Sequence, residues 1–131
     1  MAQIQPLLDP IGGSVYTATI SNASAVNNPL VDTAVTAYQI EVDNTANSAV
    51  TYLKVYNAAS PAHASNSPMM TLKAEASTKQ HFVFPAGTEI GYFSYIVTTT
   101  QANTGTPSAT SSAVDIALLY GSSAELGTIE D

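Results

Sequence analysis

The 131-residue chain has no cysteine, no arginine and no tryptophan. Without cysteine there are no disulfides, no thiolate metal sites and no thiol nucleophile, so stability has to come from packing or from assembly with other chains. The only cations are Lys54, Lys73 and Lys79, set against ten Asp and Glu, and the net charge is -7. A surface that tracks phosphates needs clustered cations, which three scattered lysines cannot supply. Nucleic acid is therefore excluded as the main partner, and an anionic membrane surface is disfavoured for the same reason. No hydrophobic run approaches the length of a membrane span, and the opening Met-Ala-Gln-Ile-Gln-Pro lacks both the basic region and the continuous apolar stretch of an export signal.

Hydrophobic residues make up 45% of the chain and charged residues only 10%, a globular composition of a size that supports one core. Ser and Thr together number 30 and Ala 20, while Leu is sparse. That mixture is poor in amphipathic helix formers and suits strands. The expected fold is all-β: a single-domain β-sandwich, jelly-roll-like or immunoglobulin-like, of about seven to eight strands. The plainest strand is 36–44, where Tyr38, Ile40 and Val42 alternate with Gln39, Glu41 and Asp43 at period two. After the turn-forming run 43–48, residues 50–57 resume in β-branched and aromatic residues, with Leu53 and Val55 expected inward and the two strands expected to pair as an antiparallel hairpin. Further strands are expected at 15–20, 69–74, 80–84, 90–99 and 114–120, adding Phe82, Phe84, Ile116 and Leu118 to the core.

The ends differ in character. Residues 1–14 carry Ile4, Leu7, Leu8 and Ile11 among Pro6, Pro10, Gly12 and Gly13, and read as an extended arm that docks on another surface. Residues 15–121 form the sandwich, and 122–131 an acidic tail. The segment 101–112 contains nothing apolar enough to anchor in a core and reads as a surface loop or subunit contact.

Catalytic signals are sparse. His63, in the loop 60–65, reads as solvated, and His81 lies on the strand face opposite Phe82 and Phe84, with an edge or interface role. Neither has triad or metal-ligand spacing. Gly-x-Ser-x-Gly, phosphate-cradling glycine loops and His-Glu-x-x-His are all missing. Glu41 and Asp43 share a face as solvent-facing alternates rather than an acid/base couple. Asp32, Asp43 and Asp115 offer oxygen for a hard cation but not the Asp-x-Asp-x-Asp-Gly run. Tyr92, Phe93 and Tyr95 split between two strand faces, which is unlike a sugar-stacking platform. The reading is a non-enzymatic protein with no cofactor.

Three stretches carry a resemblance: Asn47-Ser48-Ala49-Val50-Thr51-Tyr52-Leu53-Lys54-Val55-Tyr56-Asn57-Ala58, then Phe82-Val83-Phe84-Pro85-Ala86-Gly87-Thr88-Glu89-Ile90, and last Val114-Asp115-Ile116-Ala117-Leu118-Leu119-Tyr120-Gly121. In content and order, over about residues 36–121, they resemble small virion proteins of tailed bacteriophages, of the capsid decoration or cement type. The resemblance implies a β-sandwich, often trimeric, that binds the major capsid protein on the outer surface of the head. Similar domains occur in tails, baseplates and head fibres. Where that group carries an arginine-bearing phrase after the Pro-Ala-Gly turn, this chain has Gly91-Tyr92-Phe93-Ser94-Tyr95, with no cation.

Overall fold

A computed structural model describes residues 14–30 and 34–122. These form seven strands: β1 (Ser14–Ile20), β2 (Val35–Asp43), β3 (Thr51–Asn57), β4 (Met70–Ala74), β5 (Lys79–Ile90), β6 (Phe93–Thr98) and β7 (Val114–Ser122). Sheet A has the order β1-β7-β2-β5 and sheet B the order β4-β3-β6, every neighbouring pair antiparallel. The arm residues Ile4, Leu7, Leu8 and Ile11, and the tail from 123 onward, lie outside the described residues.

The strand order decides between the two sandwich topologies. An immunoglobulin domain places its second strand beside the first, with the last strand in the other sheet. Here the last strand sits between the first two. Pairing is nested instead: β1 with β7, β2 with β5, and β3 with β4. The missing member of the series is a single bridge at Val26, in the β1–β2 connection, whose N–H donates to Tyr95 O at 2.9 Å while Tyr95 N–H donates back at 3.1 Å. The chain is thus one long hairpin rolled into two sheets. That is the connectivity of an eight-stranded jelly roll, with its second strand reduced to one bridge.

The expected hairpin between 36–44 and 50–57 does not form. β2 belongs to sheet A and β3 to sheet B, and residues 44–50 carry the chain from one sheet to the other. The reason is Asn44, whose fully buried side chain donates to the carbonyls of Ala49 (2.9 Å), Glu75 (3.1 Å) and Ala74 (3.4 Å) and accepts from Thr51 Oγ1 (2.8 Å) and Asn47 Nδ2 (3.0 Å). These bonds fasten the crossing to the β4–β5 corner.

Ile40 and Val42 from β2 face Leu53 and Val55 from β3 across the sandwich, and all four are inaccessible to solvent, as is Leu118; Ile116 is 2% exposed. Phe82 and Phe84, on the edge strand β5, are partly buried against this core. Tyr38 departs from the expected core set. It occupies a bulge in β2, where Ala37 pairs with Thr88 but Gln39 pairs with Val83, so residues 84–87 stand opposite Tyr38 alone. Pro85-Ala86-Gly87 is therefore a bulge inside one long strand and not a turn between two. Gly87 has φ +82°, and a Cβ there would lie 2.5 Å from Thr36 Cγ2 and 3.0 Å from the Tyr38 ring, so both the conformation and the space require glycine.

Tyr16 of β1 and Tyr95 of β6 join the two sheets through their hydroxyls at 2.7 Å, and both rings pack against Phe93. Burial first, and then the Tyr16 hydroxyl, push the Tyr95 phenol far above its ordinary value. A phenol raised in the folded state contributes stability that is complete below the unfolded value and is lost as the pH climbs beyond it. The denaturant midpoint is accordingly expected to fall as the pH passes about 10. Tyrosinate absorbance checks this: the last phenols to ionise should do so together with unfolding. In the core, Ile40→Ala or Leu53→Ala is expected to cost about 2–5 kcal/mol, and Gln39→Ala on the outer face of sheet A below about 0.5 kcal/mol, as measured by urea denaturation.

Candidate functional site

The two outer faces of the sandwich are unlike each other. On sheet A the register stacks three rows across all four strands: Val15, Leu119, Gln39 and Val83; then Thr17, Ala117, Glu41 and His81; then Thr19, Asp115, Asp43 and Lys79. Val15 and Val83, at 63% and 61% exposure, are the most exposed large hydrophobic residues described and sit on the two edge strands of the sheet. All of the lower two rows except His81 line a groove of about 580 Å³.

Inside that groove every charge has a partner. Glu41 Oε2 lies 3.4 Å from Lys79 Nζ and 3.1 Å from His81 Nε2, and Thr19 Oγ1 donates to Asp115 at 2.7 Å. The Thr45 hydroxyl (2.6 Å) and then the Thr45 N–H (3.1 Å) donate to Asp43 Oδ1 and hold that carboxyl below its ordinary value. Asp43 and Asp115 are direct cross-strand neighbours, while Asp32 lies outside the described residues. Among the described residues no group of three or more His, Asp or Glu could hold a metal ion. Tyr92 is exposed in the β5–β6 connection, whereas Phe93 and Tyr95 face the core.

On sheet B the outer face is buried along Lys54 and Tyr56 of β3 and Ser94, Ile96 and Thr98 of β6, and exposed at Thr71 and Lys73 of β4. The connections 58–69 and 99–113 lie over it at Lys54 and Thr98, and Asn28 of the β1–β2 connection donates its N–H to Ser94 Oγ at 2.9 Å. The expectation of a solvated His63 is overturned: its exposure is 5%. Lys54, fully buried, places Nζ 3.0 Å from His63 Nε2 and donates to the carbonyls of Gln101 (3.2 Å) and Ala102. His63 Nδ1 lies 2.9 Å from the Gly105 carbonyl. Burial pushes the Lys54 amine below the usual lysine range.

The loop 101–112, expected to be unanchored, is held from outside itself. Besides Lys54 and His63, Thr98 Oγ1 donates to Ser108 O (2.7 Å) and Thr99 N–H to the same oxygen (3.0 Å), and Ser108 N–H donates to Thr100 Oγ1 (2.9 Å). Lys54 is the residue that sequence reasoning missed. Its alternation with Leu53 and Val55 marks it as outward, and an outward polar side chain on a strand is wet by default. The available signal was that both covering loops carry no charge apart from the imidazole, so they offer carbonyls and little else to a cation.

No family model, curated protein or solved structure matches this chain.

Replacing Lys54 with Met keeps the stem and removes all the donors, leaving two loop carbonyls and His63 Nε2 without their partner. Lys54→Met is expected to destabilise the protein by about 2–4 kcal/mol, checked by urea denaturation at neutral pH. Lys73→Met, at an exposed ion pair with Glu75 of 3.5 Å, is the matched control and is expected to change little.

Proposed function

We propose that this chain is a non-enzymatic virion structural protein, a decoration or cement protein that assembles as a homotrimer and binds the major capsid protein on the outside of a phage head. The observation that carries the reading is the row Val15–Leu119–Gln39–Val83, a charge-free strip that runs from one edge of sheet A to the other. It is a mostly apolar stripe that ends on β1 and β5, the edge strands of sheet A among the described residues, and closed oligomers cover such edges. Further support comes from the rolled-hairpin connectivity, an architecture that viral shell proteins use repeatedly, and from the phage-like phrases in β3, β5 and β7. A cement acts mechanically: binding the expanded shell but not its precursor stabilises the shell by the free energy of binding, summed over many copies.

One observation favours a second reading, a host-glycan-binding module. The groove on sheet A presents the hydroxyls of Thr17 and Thr19 beside the carboxylates of Asp43 and Asp115, a set of groups able to hydrogen-bond sugar hydroxyls. It lacks an aromatic platform. A glycan array with the purified protein tests that reading.

For the leading reading, light scattering is expected to give three times the mass of the 13.6 kDa chain. The protein is expected to co-sediment with expanded heads stripped of decoration and to raise their thermal disruption temperature. Val83→Asp is expected to lower the association in solution without unfolding the monomer. A monomer that leaves the heads' disruption temperature unchanged overturns the proposal.

A further inference from the structure

Lys54 and His63 meet in a site with room for one positive charge and no carboxylate to offset a second. An ammonium has three N–H donors, and the contacts of Lys54 Nζ are three: Gln101 O, Ala102 O and His63 Nε2. Carbonyls only accept, so with the ammonium charged Nε2 must accept as well, which leaves the ring proton on Nδ1 to donate to Gly105 O. Each donor then has one acceptor. A second proton converts Nε2 from acceptor to donor and sets two cations 3.0 Å apart.

The surroundings offer nothing to absorb that charge. On β3, Tyr52 and Tyr56 share the face with Lys54. On β4, Thr71 lies opposite Lys54, and Lys73, already paired with Glu75, is opposite Tyr52. On β6 the face is Ser94, Ile96 and Thr98. Residues 99–113 contain no charged side chain, and 58–69 contain only His63. On the same face of β3 the Tyr56 hydroxyl is buried with no hydrogen-bond partner among the described residues, a cost that any opening which wets it removes.

We propose that the Lys54–His63 pair is a proton-operated latch: it closes the loops 58–69 and 99–113 over the outer face of sheet B when it holds one proton fewer than its full complement, and a further proton on His63 releases them, exposing Ile96 and Tyr56. The sign follows from linkage, because the open state binds one more proton than the closed state, so falling pH favours opening. His81 provides an internal contrast. It lies 3.1 Å from the Glu41 carboxylate, where protonation creates an attraction.

The latch is tested on the intact, isotope-labelled protein. Long-range proton–nitrogen spectra at about pH 7.5, above the ordinary histidine value, are expected to show His63 as the Nδ1–H tautomer; an Nε2–H tautomer overturns the proposal. Exchange protection of the Thr99 and Ser108 amides, corrected for the intrinsic pH dependence of exchange, is expected to fall by up to about tenfold per pH unit as the pH is lowered from about 7.5 to 5, while the Ile40 amide at the centre of sheet A stays protected. His63→Gln, whose Oε1 accepts but takes no proton, is expected to abolish that pH dependence, and His81→Gln to leave it intact. Protection of Thr99 and Ser108 that is flat between about pH 7.5 and 5 in the native protein, or that falls equally in His63→Gln, overturns the latch.

Discussion

The fold depends on one buried pair of amides. A rolled hairpin must leave one sheet and enter the other at every corner, and each departure takes backbone groups out of the ladder where water cannot reach them. Asn44 and Asn47 resolve this at three places at once. Asn44 bonds across its own crossing to Ala49 and Thr51 and across the β4–β5 corner to Ala74 and Glu75. Asn47 takes the carbonyl of Ser112 with its Nδ2 and the N–H of Ser112 with its Oδ1, at 3.0 and 2.7 Å, and its own carbonyl receives Ser77 N–H. The segments entering β3, β5 and β7 are therefore fastened to one another before any of those strands begins. An amide suits this role because it offers donors and acceptors from one plane without charge, and a carboxylate could supply only half of the set.

With the corners fixed, the two sheets acquire different exteriors. Sheet A has four strands, and among the described residues its outer face is left uncovered, rowed by register into one charge-free and two charged bands. Sheet B has three, and the connections 58–69 and 99–113 lie across it. The cover is made mostly of Ser, Thr, Ala, Asn and Pro, which bury little apolar area, so its attachment rests on directed hydrogen bonds from Lys54, His63 and Thr98 instead of on hydrophobic contact. This concentrates the chemical sensitivity of the molecule in one place. A packed sheet responds weakly to a proton, whereas a cover held by a shared proton responds directly.

Much of this was legible in the sequence, and what was not has a common cause. Period two located the strands because side-chain alternation is local, and Ile40, Val42, Leu53 and Val55 follow from it. The turn chemistry of Asp43, Asn44, Asn47 and Ser48 is equally local, yet a tight hairpin and a corner between sheets use the same residues. What separates them is the reach of Asn44 to residues 74 and 75, which no window contains. Pro85-Ala86-Gly87 misleads in the same way: it has the composition of a turn, but Gly87 is demanded by the approach of Thr36 and Tyr38 from another strand. Lys54 was hidden most thoroughly. Polar residues on the outer face of a strand are wet by default, and only the path of a loop about fifty residues further on makes this one buried.

Charge completes the account of which surface is left for contact. All three lysines are engaged within the chain: Lys54 in the buried pair, Lys73 with Glu75 and Lys79 with Glu41. Two scattered surface lysines already paired in the chain offer little attraction to a second copy, and two copies at -7 each repel at long range. The self-association proposed for this chain would therefore be driven where charge is absent. Two of the three rows on the outer face of sheet A contain carboxylates. The row of Val15, Leu119, Gln39 and Val83 contains none, and it ends on β1 and β5, the edge strands of sheet A among the described residues. Apolar burial and edge pairing reinforce each other there, so the same strip that makes the monomer's surface least soluble is the one along which copies can meet without bringing carboxylates face to face.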